Sequence, residues 1–128
     1  MNPTDLERAI MDFLLGGDHP VLAVLRSQWA QARVTGRELT GVGFFLKMHV
    51  PPSARLATTK RLFTLGDDVV IDLPGRETIA GVVLFVRNGI LDLLELYTFD
   101  SPWPIDTSGF VVRYSREPHD LSVLDNVV

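Results

Sequence analysis

The stretch IAGVVLFVRNGILDLLELYTF, residues 79–99, decides the fold that this sequence predicts. Asn88-Gly89 separates two apolar runs. Asn-Gly is the strongest short-range signal for a β-hairpin, because a type I′ turn needs positive φ at both central residues. A two-residue turn fixes the register of the predicted hairpin. The expected pairs are Arg87–Ile90, Val86–Leu91, Leu84–Leu93 and Val82–Glu95.

Side chains alternate between the two faces of a strand, so this register sorts the hairpin into two sets. One predicted face carries Ala80, Val82, Leu84, Val86, Leu91, Leu93, Glu95 and Tyr97. The other carries Gly81, Val83, Phe85, Ile90, Asp92, Leu94 and Leu96. Both faces are largely apolar, which predicts a position in the middle of a sheet that is covered on at least one side.

Two helices are predicted before the strands. Thr4-Asp5-Leu6-Glu7 fits a capping box, and Gly16-Gly17 suits the end of the first helix. The second helix begins near Asp18 or His19, with Pro20 in its first turn, and frays near Arg33. Alternation and turn signals then predict strands over 42–50, 60–65, 69–73 and 110–114, with a turn at 35–37.

Helices that come first and strands that follow indicate an α+β fold. The prediction is an N-terminal helical hairpin packed on a mainly antiparallel sheet of about five or six strands. The chain has 128 residues, a common size for one domain with its own core. Residues 1–128 are therefore predicted to form a single α+β domain.

Composition argues against several classes of function. The net charge of −4 does not supply the basic surface that nucleic-acid binding needs. The chain has no cysteine, which excludes disulfides and a cysteine nucleophile and suits the cytoplasm. Its acidic N-terminus differs from a signal peptide, and no apolar run approaches the ~20 residues of a membrane span.

Neither a metal site nor a cofactor is predicted. His19, His49 and His119 are too far apart in the sequence for a metal-ligand motif. Asp67-Asp68 and Asp72 form an acidic cluster after Gly66, but the remaining pattern of a calcium loop is missing, so the cluster is interpreted as a solvated turn and strand face. No serine lies in a Gly-x-Ser-x-Gly motif.

Glu95 is a charged residue on an otherwise largely apolar face of the predicted hairpin, so its position there needs an explanation. A buried carboxylate without a partner has a raised pKa and suits acid/base chemistry. Such an enzyme, or a small-ligand-binding protein, would need a cleft lined by Glu95 and Tyr97 with a second polar group such as His49 or Arg113. The alternative is that Glu95 pairs with an arginine or a tyrosine, or lies in solvent.

Ser101-Pro102-Trp103-Pro104 is the most unusual local feature. Two prolines restrain the backbone around a large aromatic side chain. A rigid, exposed tryptophan makes a good binding hot spot. The alternative is that Trp103 folds back and caps the sheet, since tryptophan is usually well buried.

The segments 81–89, 94–100 and 102–104 together resemble a family of small uncharacterised bacterial α+β proteins. In that family, a Leu-Glu-x-Tyr strand is followed by an acidic loop that contains proline and tryptophan. The resemblance implies a fold element rather than a reaction, and it points to Glu95, Tyr97 and Trp103. Some proteins of this size and character are immunity proteins beside bacterial toxins, which is an analogy of type and not of motif.

The leading functional hypothesis is a small non-enzymatic protein-interaction or regulatory domain, with an immunity-type role as one form of it. It rests on the missing catalytic signatures, the acidic charge balance and the proline-flanked Trp103. The alternative is a small-ligand-binding protein or an enzyme that uses Glu95 as acid/base. A third hypothesis is a homodimer, because the apolar content is generous for a domain of this size.

Overall fold

Two helices precede seven strands in the computed structural model, which describes residues 2–73, 78–99, 101–122 and 124. The helices are α1 (Asp5–Leu14) and α2 (Pro20–Gln31). The strands are β1 (Arg33–Leu39), β2 (Gly43–His49), β3 (Leu62–Leu65), β4 (Val69–Leu73), β5 (Thr78–Arg87), β6 (Ile90–Thr98) and β7 (Val111–Tyr114). The predicted α+β fold is confirmed, with more strands than the five or six expected.

Both helices begin where the sequence predicts. The Thr4 hydroxyl accepts a hydrogen bond from the Glu7 amide at 3.2 Å, and the Glu7 carboxylate accepts from the Thr4 amide at 2.8 Å, which completes the capping box. His19 caps α2 by accepting from the Val21 amide, and Pro20 occupies the first helical position. Neither of these helices has the length and apolar character needed to cross a membrane, and no other helix in the described ranges does.

All strand pairs in the described sheet are antiparallel, and the order is β1-β2-β6-β5-β4-β7, with β3 also paired to β5. Alternate residues of the central strands join the helices in one apolar core, and we call the opposite face of the sheet the outer face. We call the end with the 88–89 hairpin turn the turn end. The loop end is the opposite one, which carries the connection 40–42 and the long connection from β6 to β7.

The hairpin turn is confirmed, but the register beyond it is wrong by one residue. Asn88 and Gly89 both have positive φ, at 53° and 76°, and Val86 pairs with Leu91 as predicted. Phe85 then pairs with Leu93, so Asp92 is an extra residue that forms a β-bulge. The bulge moves every later residue of β6 to the other face: Leu94 and Leu96 are buried in the core, while Leu93, Glu95 and Tyr97 lie on the outer face.

Residues 35–37 do not form the predicted turn. They belong to β1, which pairs with β2 along its whole length and has a register irregularity between Val34 and Gly36. Thr35 is the extra, unpaired residue, and β1 pairs with β2 on both sides of it, so the chain stays extended where a turn was expected. The irregularity lets Val34 and Arg37 both face the helices, although they are an odd number of residues apart.

Candidate functional site

Glu95 lies near the centre of the outer face, between Phe45 of β2 and Val83 of β5. Its side chain is partly buried, and it makes no hydrogen bond or ion pair with any described residue. The structure does not bring the expected second polar group to it. Arg113 donates to Asp72 at 2.7 Å, and His49 follows Phe45 by four residues, or about 13 Å along β2.

Tyr97 shares the outer face with Glu95 and lies flat across β5. A Cβ atom added at Gly81 would be 2.6 Å from the Tyr97 Cζ and 2.7 Å from its hydroxyl oxygen. Glycine at position 81 therefore leaves the space that the Tyr97 ring occupies, and a larger residue there would displace the ring. The Tyr97 ring also makes an edge-to-face contact with Phe99, with 5.4 Å between the ring centroids. This contact connects the outer face with the exposed Phe99 at the loop end.

Trp103 lies on the helix side of the sheet and is separated from Glu95 by the sheet itself. Its ring meets Phe44 edge to face at 5.5 Å, and its amide donates to the Gly41 carbonyl at 3.2 Å. The ring is partly buried against the core, as the folded-back alternative predicts. The three residues singled out from the sequence thus divide, with Glu95 and Tyr97 on one face and Trp103 on the other.

A groove of about 550 Å³ opens beside Trp103, between the start of α1, the end of β1 and the 103–110 segment. Beneath it, Arg37 donates to both carboxylate oxygens of Glu7 at 2.7 Å, and Glu7 is buried. The hydrogen bond to Glu7 raises the pKa of Arg37. The pair is thus neutral overall and holds β1 to α1.

Asp106 adds an acidic group to the Trp103 groove. Its carboxylate accepts hydrogen bonds from the Ser108 hydroxyl at 2.6 Å and the Ser108 amide at 2.9 Å. These bonds lower the pKa of Asp106, so it carries a negative charge at neutral pH. The groove is therefore apolar with an acidic margin.

Exposed apolar side chains gather at the loop end. Eight large hydrophobic residues are exposed among the described residues, and six of them belong to this end. We call these six the apolar rim: Leu39, Val42, Ile79, Phe99, Ile105 and Val111.

The strand register shows that part of the rim is contiguous. Thr98 pairs with Ala80, so Phe99 and Ile79 are at the same level on adjacent strands, about 5 Å apart. Asp72 pairs with both Ile79 and Val111, which places Val111 at that level too. On the other side of the sheet, Leu39 lines the Trp103 groove beside Ile105. The loop end therefore carries apolar side chains on both sides of the sheet, with Tyr97 next to Phe99 on the outer face and Trp103 next to Ile105 on the helix side.

Sequence reasoning missed a buried Asp–His pair. Asp68 was expected in a solvated turn, but it is buried, and its carboxylate binds His119 Nδ1 at 2.7 Å and the Asp120 amide at 2.6 Å. His119 stacks on Tyr114, and its Nε2 faces the Leu14 carbonyl at 3.4 Å. Both ring nitrogens face protein acceptors, so this pair anchors the segment after β7. The two residues are 51 positions apart, and no local pattern signals their contact.

The described part of the chain contains no group of three or more histidine, aspartate or glutamate side chains placed to hold a metal ion. Comparison of the chain with protein-family models, with curated proteins and with solved structures finds no match.

Proposed function

We propose that this protein is a small non-enzymatic protein-interaction or regulatory domain that binds a protein partner through the apolar rim and Trp103. The observation that carries the proposal is the concentration of six exposed large apolar side chains at one end of the sheet. Exposed apolar surface lowers the free energy of a complex when a partner covers it, at roughly 25 cal/mol for each Å².

The chemistry of the loop end supports a particular kind of partner. Phe99 and Ile105 offer apolar contacts at the surface, and Trp103 offers a restrained aromatic ring beside a groove. Asp106 and the chain's net charge of −4 favour a partner whose apolar surface has basic residues around it. An immunity-type role is one form of this proposal, with a toxin as the partner. The absence of cysteine supports a cytoplasmic setting.

The alternative of Glu95 as an acid or base has less support. The carboxylate lies on a sheet face between Phe45 and Val83, and neither His49 nor Arg113 is placed to share a substrate with it. General acid/base catalysis needs groups that converge on one reacting atom. An enzymatic function would therefore need a partner or a substrate to complete the site.

The experiment compares three forms of the protein as bait in the source cells. The double variant Phe99→Ser with Ile105→Ser removes two rim side chains. Leu62→Ser removes an apolar side chain that is 45% exposed on β3, near the turn end and outside the apolar rim, and is the control. A partner retained by wild type and by Leu62→Ser, but bound about tenfold more weakly by the double variant after purification, would support the proposal.

The proposal fails if all three baits retain the same proteins equally, or if none retains a partner. Recovery only of a second copy of this chain, with a dimer seen by analytical ultracentrifugation, would replace the proposal with the homodimer hypothesis. Both variants change exposed side chains, so we expect their free energies of unfolding to stay within about 0.5 kcal/mol of wild type. Urea denaturation checks that the variants are folded.

A further inference from the structure

A second groove, of about 570 Å³, lies along the first half of α2, on a different surface from the apolar rim. One wall is α2 from Pro20 to Ser27, and the other is the segment 55–58 between β2 and β3. We call it the α2 groove. Its volume falls within the range of small-molecule sites, roughly 300–1,000 Å³.

The two walls of the α2 groove are joined by buried hydrogen bonds. Gln28, one residue beyond the helical wall, donates from Nε2 to the Arg55 carbonyl at 2.8 Å and to the Gly89 carbonyl at 2.8 Å. The Ala57 amide also donates to the Gly89 carbonyl, at 3.0 Å. Both walls are therefore fixed to the hairpin turn, and the groove is formed before any ligand enters, which lowers the entropic cost of binding.

The α2 groove differs in charge from the rest of the protein. The chain has 16 acidic and 12 basic residues, yet no acidic side chain lines this groove. Arg55 lines it, and its guanidinium makes no ion pair with any described residue. The Ser27 hydroxyl donates a hydrogen bond to the Val24 carbonyl at 2.7 Å. The charge left for a ligand is therefore positive.

The remaining lining of the α2 groove is largely apolar. Pro20 and Val24 contribute from the helix, and Leu56 contributes from the opposite wall with 57% of its surface exposed. An apolar ligand chain would cover Leu56 and Val24 and would remove their surface from water.

From this arrangement we propose that the α2 groove binds a small amphipathic carboxylate of the medium-chain fatty acid class. The carboxylate accepts hydrogen bonds from the Arg55 guanidinium, whose fork geometry suits a carboxylate. The alkyl chain lies between Val24 and Leu56. The site does not depend on the proposed protein partner, since it shares no residue with the apolar rim.

The test is a titration followed by amide NMR spectra, with sodium octanoate as the probe. Octanol has the same chain without charge, and octylammonium has the opposite charge. We expect octanoate to shift the Val24 and Leu56 amides saturably, and octanol and octylammonium to bind more weakly. Arg55→Gln should weaken octanoate binding roughly three- to tenfold, because it removes a charge-assisted hydrogen bond.

Arg61→Gln is the matched control, because Arg61 is exposed in the same connection and does not line the groove. It should bind octanoate as wild type does. Leu56→Ser should weaken octanoate and octanol alike. The proposal is overturned if octanoate produces no saturable shift, if octanol binds as tightly as octanoate, or if Arg55→Gln and Arg61→Gln have the same effect.

Discussion

The turn end and the loop end of the sheet differ in how their side chains are used. At the turn end, Gln28 is completely buried, and both polar atoms of its side-chain amide make hydrogen bonds. Its Nε2 donates as described above, and its Oε1 accepts from the Leu91 amide at 2.9 Å. At the loop end, Phe99 is 60% exposed and Ile105 is fully exposed. Folding alone explains the first arrangement, because a buried amide needs partners. Folding does not explain the second arrangement, because exposed apolar surface contributes nothing to stability until it is covered, and we propose that a protein partner covers it.

The largest expected effect comes from breaking the turn end. Gln28→Leu leaves the Leu91 amide and the carbonyls of Arg55 and Gly89 without their side-chain partner in a buried place. We expect the free energy of unfolding to fall by about 3 kcal/mol, measured by urea denaturation.

Gln31→Leu is the control for this prediction. Gln31 is the second glutamine of α2, and it is exposed, with its amide donating only to the Ser27 carbonyl. Its replacement should change the free energy of unfolding by less than about 0.5 kcal/mol. Equal losses in the two variants would show that the turn end is not held by Gln28.

A smaller loss of stability is expected from breaking the Arg37–Glu7 pair beneath the Trp103 groove. Arg37→Met leaves the buried Glu7 carboxylate without its guanidinium partner. The free energy of unfolding should fall by roughly 2 kcal/mol, less than for a completely buried pair, because Arg37 is 27% exposed. Arg8→Met breaks the exposed pair with Asp5 and should cost about 0.5 kcal/mol or less. If Arg37→Met lowered the free energy of unfolding as little as Arg8→Met does, the Arg37–Glu7 pair would not be what stabilises the loop end.

A third effect, smaller than those of Gln28→Leu and Arg37→Met, concerns the contact of β7 with α1. Tyr114 donates to the Phe13 carbonyl at 2.6 Å, so Tyr114→Phe should cost about 1 kcal/mol. Burial, with the charges of Asp68 and Glu117, raises the pKa of Tyr114 above its ordinary value of 10.0. A group with a raised folded-state pKa contributes stability below its unfolded pKa, and this contribution is lost as the pH rises through the folded value.

Urea denaturation at pH 8 and at pH 11 tests this pH dependence. Wild type should lose stability between the two pH values, and Tyr114→Phe should lose less. Tyr97→Phe, on the outer face, should keep the wild-type loss at alkaline pH. The same pH dependence in all three proteins would contradict a special role for Tyr114.

The sequence predicted the hairpin but misplaced Glu95, for an identifiable reason. The Asn88-Gly89 turn fixes only the nearest pairs, and each further pair depends on an unbroken ladder. Asp92 interrupts that ladder, and it lies 3.6 Å from Arg87 in an ion pair. Runs that are apolar on both faces leave the register undetermined from sequence, because either alternation buries leucine or valine.

The candidate sites were less predictable than the fold. Trp103 was singled out by its flanking prolines, which are a local signal. Gln28 and Asp68 gave none, because the groups that they contact, Gly89 and His119, are far away in the chain. Arg55 also gave none, because the groove that it lines is formed with the distant helix α2. A single polar residue in a sequence does not reveal which distant group it meets.

Local interactions account for what the sequence alone determined: the capped starts of α1 and α2, the positive-φ turn at Asn88-Gly89 and the α+β order of the elements. These depend on residues within a few positions of each other. Tertiary structure alone decided the bulge at Asp92, the separation of Glu95 from Trp103 and the gathering of the apolar rim. Each of these depends on which strands pair and at what register, and that choice belongs to the packing of the whole chain.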